Sequence, residues 1–322
     1  MSEFLAPFEH MLEQIVTPAA VRAIESSGDG SAMWGAIAES GFLDALVPEE
    51  RGGAGLPLTE VQPLWMALGR RAVPLPVGET MIARGLCGDA PAGPIALATA
   101  RAGQEVVVPS GRIAAYLLID GGDGLHLVDT ASIATTPTGV VGDLSARMRW
   151  DSLPSGGRAP PVGGLRSSAA VLRASLIAGA AERLTEMTAA YAGERLQFGK
   201  PIGRQQALQQ QMAVMAEETV AARLASQLGA ASGFPPRPEA AATAKSVASR
   251  AAARVAATAH AVHGAIGISA EYDLQLLTRR LHEWRLADGG EAYWNRQLGA
   301  ARLASEVRSV DYVRTAIFAE TR

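Results

Sequence analysis

The sequence is poor in cysteine, which limits both covalent cross-links and metal sites. Cys87 is the only cysteine among the 322 residues, so no disulfide can form within the chain and no cysteine-based metal site is possible. The five histidines are scattered along the sequence. His260 and His263 share a helical face, but no third ligand accompanies them. We therefore expect no bound metal.

Long apolar runs and basic clusters are also missing. Charged residues interrupt every apolar stretch before it reaches the roughly 18–20 residues that cross a bilayer. Residues 1–10 lack the basic and apolar regions of a signal peptide. The net charge is only −3 and no basic patch carries interleaved aromatic residues. We expect a soluble, cytoplasmic protein that binds neither membranes nor nucleic acid.

Small apolar residues, by contrast, are abundant. Hydrophobic residues make up 48% of the chain and charged residues 19%, a composition typical of globular proteins. Aromatic residues contribute only 5%, whereas alanine is very frequent. This favours helices that pack closely through small side chains. The length is sufficient for two or three layers or subdomains.

Periodicity and turn residues divide the chain into three predicted domains. Residues 1–92 form an N-terminal helical domain, with clear helical spacing over 31–40 and 59–71. Residues 93–164 form a small antiparallel β domain and a linker, with strands predicted at 94–99, 105–108, 113–119, 125–129 and 146–150. Residues 165–322 form a helical bundle, with helices predicted at 167–196, 204–232, 237–266, 272–285 and 290–317. The predicted fold class is α with a small central β unit.

The segment from Tyr191 to Ile202 interrupts the bundle and points to a ligand. Gly199 and Pro201 end one helix, and a second begins at once with the glutamines at positions 205, 206, 209 and 210 in its first turns. A break between helices leaves free backbone N–H groups, and Arg195 adds a guanidinium suited to a phosphate. The alternative interpretation is a plain helix hairpin with a charged corner.

Three motifs, in order, resemble the acyl-CoA dehydrogenase family. The first is the Tyr-x-x-x-Arg-x-Gln-Phe-Gly-x-Pro-Ile run that starts at Tyr191. The second extends from His263-Gly-Ala-Ile-Gly267 through Glu271-Tyr272 and Arg279 to Asp288-Gly289. The third is the Val47-Pro-Glu-Glu-Arg-Gly-Gly-Ala-Gly-Leu56 run. The resemblance is strong over residues 165–300, fair over 1–75 and poor between 90 and 160.

The resemblance implies N-terminal helices, a shortened β domain and a C-terminal four-helix bundle, with FAD between the β domain and the bundle. It implies an acyl-CoA substrate, an electron-transfer flavoprotein or similar acceptor, and a homo- or hetero-oligomer in which a neighbouring bundle completes each flavin site. The residues expected to bind the cofactor are Arg195, Gln197, Phe198, Gly199, Gln205, Gly264, Gly267 and Gly289.

The family's catalytic base is a carboxylate, and the resemblance places it at Asp288. The family places it at one of two positions. One lies early in the first bundle helix, where this chain has no Asp or Glu between Asp151 and Glu182. The other lies sixteen residues after the Tyr of the Glu-Tyr pair, which from Tyr272 is Asp288. The usual residue is Glu, so the oxygens are retracted by roughly 1.3–1.5 Å, about one bond length. The alternative is that Asp288 caps the helix beginning near Gly290, with Glu291 in capping-box spacing. The two roles are not exclusive.

Several positions depart from the family pattern. Ala261 replaces a common Gln, Ala265 a Gly and Gly290 a Thr. The family has a loop rich in Thr and Ser over the flavin ring, whereas residues 95–103 of this chain contain only Thr99. These departures weaken a flavin pocket made by this chain alone. The short length and the Gly289-Gly290 pair resemble the smaller subunit of heteromeric steroid and bile-acid acyl-CoA dehydrogenases, in which unlike subunits share each flavin.

Three hypotheses follow. The chain is an FAD-dependent acyl-CoA dehydrogenase, as one subunit of an oligomer, with Asp288 or a partner's carboxylate as base. Alternatively it is a non-catalytic subunit that completes a partner's flavin site through Arg195. In the third hypothesis it is a self-sufficient flavoenzyme that, like nitroalkane oxidases, acts on another acidic C–H substrate.

Overall fold

A computed structural model describes residues 3–318 and shows helices on either side of a small strand region. The N-terminal part contains α1 (Leu5–Ile15), α2 (Pro18–Ser27), α3 (Ser31–Glu39), α4 (Leu58–Arg70) and α5 (Val77–Leu86). The C-terminal part contains α6 (Gly164–Glu194), α7 (Gln206–Ala231), α8 (Pro238–His263), α9 (Leu274–Leu286), α10 (Glu291–Leu303) and α11 (Ser309–Tyr312). The predicted fold class is confirmed, whereas the domain limits at residues 92 and 164 remain predictions.

The strand region consists of two three-stranded sheets rather than one antiparallel unit. The strands are β1 (Ile95–Thr99), β2 (Glu105–Val108), β3 (Tyr116–Asp120), β4 (Leu125–Asp129), β5 (Ala134–Pro137) and β6 (Ala146–Arg149). One sheet has the order β1-β3-β4 and the other β2-β6-β5. The prediction of a purely antiparallel domain is wrong, because β1 and β3 pair in parallel. The intervening β2 leaves for the other sheet, so the chain re-enters the first sheet in its original direction.

The central element of the core is α6. Its residues are buried almost without interruption from Ser167 to Ala181, and it packs against α4, α7, α8 and α9. A helix hydrophobic on all sides must be surrounded by protein, and its many alanines let the neighbours approach closely. The alanine-rich face of α8 is likewise buried within this one chain, so it serves core packing.

The last predicted helix, 290–317, is broken after Leu303. Here α10 ends, residues 304–308 form a loop, and a short helical segment resumes at Ser309. The Ser305 hydroxyl accepts the backbone N–H of Val307, a local bond that competes with the helical pattern. Arg302 also donates to the carbonyl of Ser305 and to the hydroxyl of Ser309, which stabilises the loop. Periodicity alone could not reveal this break.

No helix among residues 3–318 has the length and apolar character needed to cross a membrane.

A two-stranded hairpin, β7 (Leu196–Gln197) and β8 (Lys200–Pro201), joins α6 to α7. This hairpin occupies the predicted helix break.

Two glycines allow α4 and α6 to meet backbone to backbone. A Cβ added at Gly69 would lie 2.1 Å from the carbonyl oxygen of Leu176, and one added at Gly179 would lie 1.9 Å from that of Met66. We expect Gly179→Ala to destabilise the protein by about 1–3 kcal/mol through overpacking, measured by urea denaturation.

Gly193 on the same helix is the matched control, because an added Cβ meets no atom within 4 Å. Alanine there should be neutral or stabilising by up to about 1 kcal/mol, since it lowers the entropy of the unfolded chain. Equal stability of the two variants would show that the backbones of α4 and α6 do not approach closely enough at Gly179 to exclude a Cβ.

Candidate functional site

A cleft of about 640 Å³ lies between the two sheets and α9. Its walls come from β1, β2, the loop around Asp143, α9 and the turn that follows it. The volume falls within the usual range for cofactor and substrate sites. The surface is largely hydrophobic, and its polar lining includes Thr99, Arg166, His282 and Asp288 beside the ion-paired residues Glu25, Arg279, Arg280 and Glu283. The predicted base therefore lines this cleft.

The turn between α9 and α10 places Asp288 at the cleft. Asp288 has φ +57° and Gly289 has φ +100°, so both residues adopt the left-handed conformation. Gly tolerates this region freely and Asp better than most residues. A Cβ at Gly289 would also lie 2.5 Å from Cδ1 of Tyr293. Gly289 is thus required by the turn itself, and a role in binding a cofactor remains a prediction.

Arg173 holds the Asp288 carboxylate from inside the bundle. Its Nε donates to Oδ2 of Asp288 at 2.9 Å and its Nη1 donates to Oε1 of Glu79 at 2.5 Å. The side chain of Arg173 is only 1% exposed, and those of Glu79 and Asp288 are 5% and 8% exposed. Burial lowers the pKa of Arg173, but the charges of Glu79 and Asp288 outweigh this and hold it above its ordinary value.

The N-cap interpretation of Asp288 is wrong. The N-cap position of α10 is Gly290, which makes no side-chain cap, and the Glu291 carboxylate pairs with Arg285. The Asp288 carboxylate pairs instead with the buried guanidinium of Arg173, a bond in which both partners are ionised. Sequence reasoning missed Arg173, although it is the only charged residue in the Ala- and Leu-rich stretch 167–181 of α6, which was a visible signal.

A second cation lies beneath the same turn. The Lys245 ammonium donates to the carbonyl oxygens of Arg285 at 2.8 Å and Gly289 at 2.9 Å, and to Oγ of Ser249 at 3.0 Å. Burial lowers the pKa of Lys245 from 10.5 to about 7, with Asp288 opposing this and Arg173 adding to it. Lys245 was not identified from the sequence.

The cofactor-binding residues predicted around Arg195 lie on the β7–β8 hairpin. Its tip is formed by Phe198 and Gly199, with φ of +52° and +74°. Phe198 is 91% exposed and Arg195 is exposed as well. Gln205 is the half-buried N-cap residue of α7 and makes no side-chain cap.

Gly264 and Gly267 lie at the same end of the bundle. They belong to the short helical turn Gly264–Ile268 that follows α8. The His263 ring, next to this turn, stacks on Tyr191 with the ring centroids 4.4 Å apart. Burial lowers the pKa of His263, which favours the neutral ring. The structure therefore brings Gly264 and Gly267 near the Arg195 hairpin.

The two groups of predicted residues are far apart within one chain. Arg173 contacts Asp288 from the first half of α6, whereas the hairpin begins after the end of that helix. The 22 positions from Arg173 to Arg195 correspond to roughly 33 Å of helix. One chain thus presents a cleft with Asp288 and a separate exposed hairpin with Arg195.

Polar groups of the cleft fit a ligand with anionic or carbonyl oxygens such as FAD. Arg166 has a buried Nε without an acceptor among residues 3–318, and its guanidinium lies 4.9 Å from the centre of the Tyr293 ring. Burial lowers the pKa of His282, so a neutral imidazole also lines the cleft. Among the described residues, no group of acidic, His and Cys side chains could hold a metal ion.

Comparison with known proteins agrees with this architecture. Residues 166–304 match the family profile of the acyl-CoA dehydrogenase C-terminal domain. The chain is 33% identical over 284 residues to acyl-CoA dehydrogenase IpdE2 of Mycobacterium tuberculosis, covering 82% of this chain and 85% of that protein.

Two solved structures share the fold over nearly the whole chain. One chain of the ChsE4–ChsE5 complex of Mycobacterium tuberculosis superposes on this chain with a TM-score of 0.80 at 22% identity. The match covers 94% of this chain and 97% of the chain from the complex. A variant of the Tcur3481–Tcur3483 steroid acyl-CoA dehydrogenase superposes with a TM-score of 0.79 at 26% identity, covering 94% and 98%.

The ion pairs of Arg173 predict a large effect of its removal. Arg173→Met leaves two carboxylates buried without a partner, so we expect a loss of about 3–5 kcal/mol in unfolding free energy. Neutralising the carboxylates in the same chain, by Glu79→Gln and Asp288→Asn, should restore most of that loss, as measured by chemical denaturation.

Arg183→Met is the control on the same helix. Its guanidinium is about half exposed and lies 3.7 Å from Glu186, so the expected loss is below about 1 kcal/mol. If Arg173→Met were as mild as Arg183→Met, the buried charges would have to be compensated in another way.

Proposed function

Because the chain belongs to the acyl-CoA dehydrogenase family, we propose that it takes part in FAD-dependent α,β-dehydrogenation of an acyl-CoA thioester. It does so as one subunit of an oligomer whose subunits share each flavin site. The electrons leave to an electron-transfer flavoprotein or a similar acceptor.

The observation that carries this proposal is the separation of the two predicted groups. A hairpin roughly 33 Å along α6 from the Asp288 contact is too remote to complete the same cleft. Its exposed Arg195 and Phe198 are placed to reach a neighbouring subunit. Two proteins of similar fold, ChsE4–ChsE5 and Tcur3481–Tcur3483, each combine two differently named chains, which supports an assembly of unlike subunits.

In the proposed reaction, FAD supplies the acceptor for the hydride that leaves the β carbon. Arg166 and the backbone around Thr99 would hold the cofactor at the cleft, and Arg195 of this chain would hold the pyrophosphate of a flavin shared with a neighbouring subunit.

Asp288 would remove the α proton of the thioester. Its Oδ2 is held by Arg173, and its Oδ1 accepts no hydrogen bond within residues 3–318. One oxygen thus fixes the orientation of the carboxylate while the other can take up the proton. A base must lie within hydrogen-bond reach of the proton it abstracts, and this arrangement restricts Asp288 to one position.

The ion pair also favours a second candidate function. A carboxylate 8% exposed and bonded to a buried arginine serves equally well as a structural group. In that case a partner subunit supplies the base and this chain only completes the flavin site. The Asp288 variants distinguish the two.

We expect Asp288→Asn to abolish exchange of the α proton of a bound acyl-CoA with deuterated water. The amide keeps the size of the side chain and can still accept from Arg173, but it cannot take up the proton. Asp288→Glu should raise the exchange rate if reach limits catalysis. The measurement uses the purified oligomer with its partner subunit.

Asp273→Asn provides the control, since Asp273 pairs with Arg22 at the surface near the start of α9. It should leave the exchange rate unchanged. Full turnover in Asp288→Asn would place the base elsewhere and leave this chain as the non-catalytic subunit.

Arg195→Ala should lower the FAD content of the purified oligomer without changing its helicity. The guanidinium would no longer neutralise the pyrophosphate. Because Arg195 is exposed, its replacement should change the stability of the protein little. Flavin absorbance per chain and circular dichroism measure the two quantities. Arg204→Ala, an exposed arginine just beyond the hairpin, serves as control. Equal FAD content in wild type and Arg195→Ala would refute the role of Arg195.

A further inference from the structure

Lysine is rare in this chain, and one of its two lysines is in an unusual place. The sequence has 29 Lys and Arg residues, of which only Lys200 and Lys245 are lysines. Lys200 is exposed on the hairpin, whereas Lys245 is 0% exposed in the middle of α8. Long cationic side chains are almost never fully buried unless they are paired.

The contacts of Lys245 match the number of its donors. A protonated ammonium has three N–H groups, and the structure provides three acceptors: Ser249 Oγ and the carbonyls of Arg285 and Gly289. The Arg285 carbonyl belongs to the last turn of α9, where carbonyls lack helical partners. A compact ammonium can serve three converging acceptors, which the flat guanidinium fork of arginine cannot do as well.

Both of these carbonyls flank Asp288. Arg285 lies before it at the end of α9 and Gly289 follows it directly. Lys245 therefore holds the two ends of the turn while Arg173 holds the carboxylate itself. The left-handed backbone at Asp288 is uncommon for a residue other than glycine and persists only where the surroundings impose it.

We propose that Lys245 is the positioning residue of the proposed base, fixing the Arg285–Gly289 turn so that Asp288 points into the cleft. This inference rests on the proposed function. Lys245 does not line the cleft, and its bonds go to the backbone of the turn.

The charges that act on Lys245 come from four parts of the chain. Asp288 lies on the turn, Arg173 on α6, Arg285 on α9 and Glu291 at the start of α10. Because burial lowers the pKa of Lys245 to about 7, the ammonium loses its proton close to neutrality. The neutral amine has two N–H groups for three acceptors, so one bond to the turn is lost above that pH.

Deprotonation of Lys245 weakens its hold on the turn as pH rises, but the contribution of Lys245 to folding stability increases over the same range. Between pH about 7 and the ordinary lysine value near 10.5, the unfolded chain binds a proton that the folded chain does not. Stability contributed by this residue therefore rises with pH across that window, while the turn loses a bond. If Lys245 positions Asp288, the rate of α-proton exchange should fall above neutral pH while the protein stays folded. Unfolding alone would not produce this combination.

The scarcity of lysine makes the site directly observable. We would produce this chain with lysine labelled with ¹³C at Cε, assemble it with its partner subunit, and record the two signals by NMR during a pH titration. The exposed Lys200 on the hairpin provides the second, reference signal. The Lys245 signal should titrate near neutrality. Asp288→Asn should shift its midpoint downward, because it removes the negative charge of Asp288 that raises the pKa of Lys245.

The functional test is Lys245→Met, which keeps the length of the side chain and removes all three bonds. We expect the rate of α-proton exchange to fall by a factor of about 10–100, as for a misplacement on the order of 1 Å. FAD content and acyl-CoA affinity should stay unchanged, a split that general unfolding would not produce. Arg250→Met, an exposed arginine on the same helix, should have no effect.

The outcomes separate this inference from the proposed function. If Asp288→Asn abolishes exchange while Lys245→Met exchanges at the wild-type rate, the positioning role is refuted and the proposed function stands. If Asp288→Asn keeps full exchange, the proposed role of Asp288 fails, and the positioning role fails with it. Should Lys245→Met not fold, the wild-type titration still decides, because an ordinary titration midpoint insensitive to Asp288→Asn would overturn the inference.

Discussion

The ion pairs of Arg173 with Glu79 and with Asp288 tie together three parts of the chain. Glu79 lies on α5, Arg173 on α6, and Asp288 on the turn between α9 and α10. Removing three charged groups from water is costly, and the arrangement is favourable only when all three are present with good geometry. The position of the cleft wall relative to the N-terminal helices therefore depends on this charge cluster as well as on apolar packing.

Much of the architecture followed from local pattern, and the exceptions have identifiable causes. Alanine-rich helical periodicity predicted α6, α7 and α8 to within a few residues, because long periodic helices carry a strong signal. The strands were harder. β5 was missed because its four residues are all exposed and end in proline, so no alternation marks them. The parallel pairing of β1 and β3 depends on where β2 goes, which is a tertiary property.

The candidate site divides in the same way. Spacing from Tyr272 located Asp288 at the cleft, but its partner lies 115 positions away along the chain. No local pattern could identify Arg173 or Glu79 as its neighbours. The same holds for Lys245, whose acceptors are backbone carbonyls that carry no sequence signal. The sequence identified Asp288, whereas Arg173, Glu79 and Lys245 could be recognised only from the fold.

The exposed tip of the hairpin has a consequence for how the protein is made. Phe198 and Leu196 present large apolar side chains to water, 91% and 65% exposed, with Ile268 of the neighbouring turn 77% exposed. Such groups are tolerated when a neighbouring surface covers them and promote association when none does. In the proposed assembly, a chain synthesised in excess of its partner would keep this surface uncovered and self-associate. Balanced synthesis of the two subunits would then be a condition for solubility as well as for catalysis.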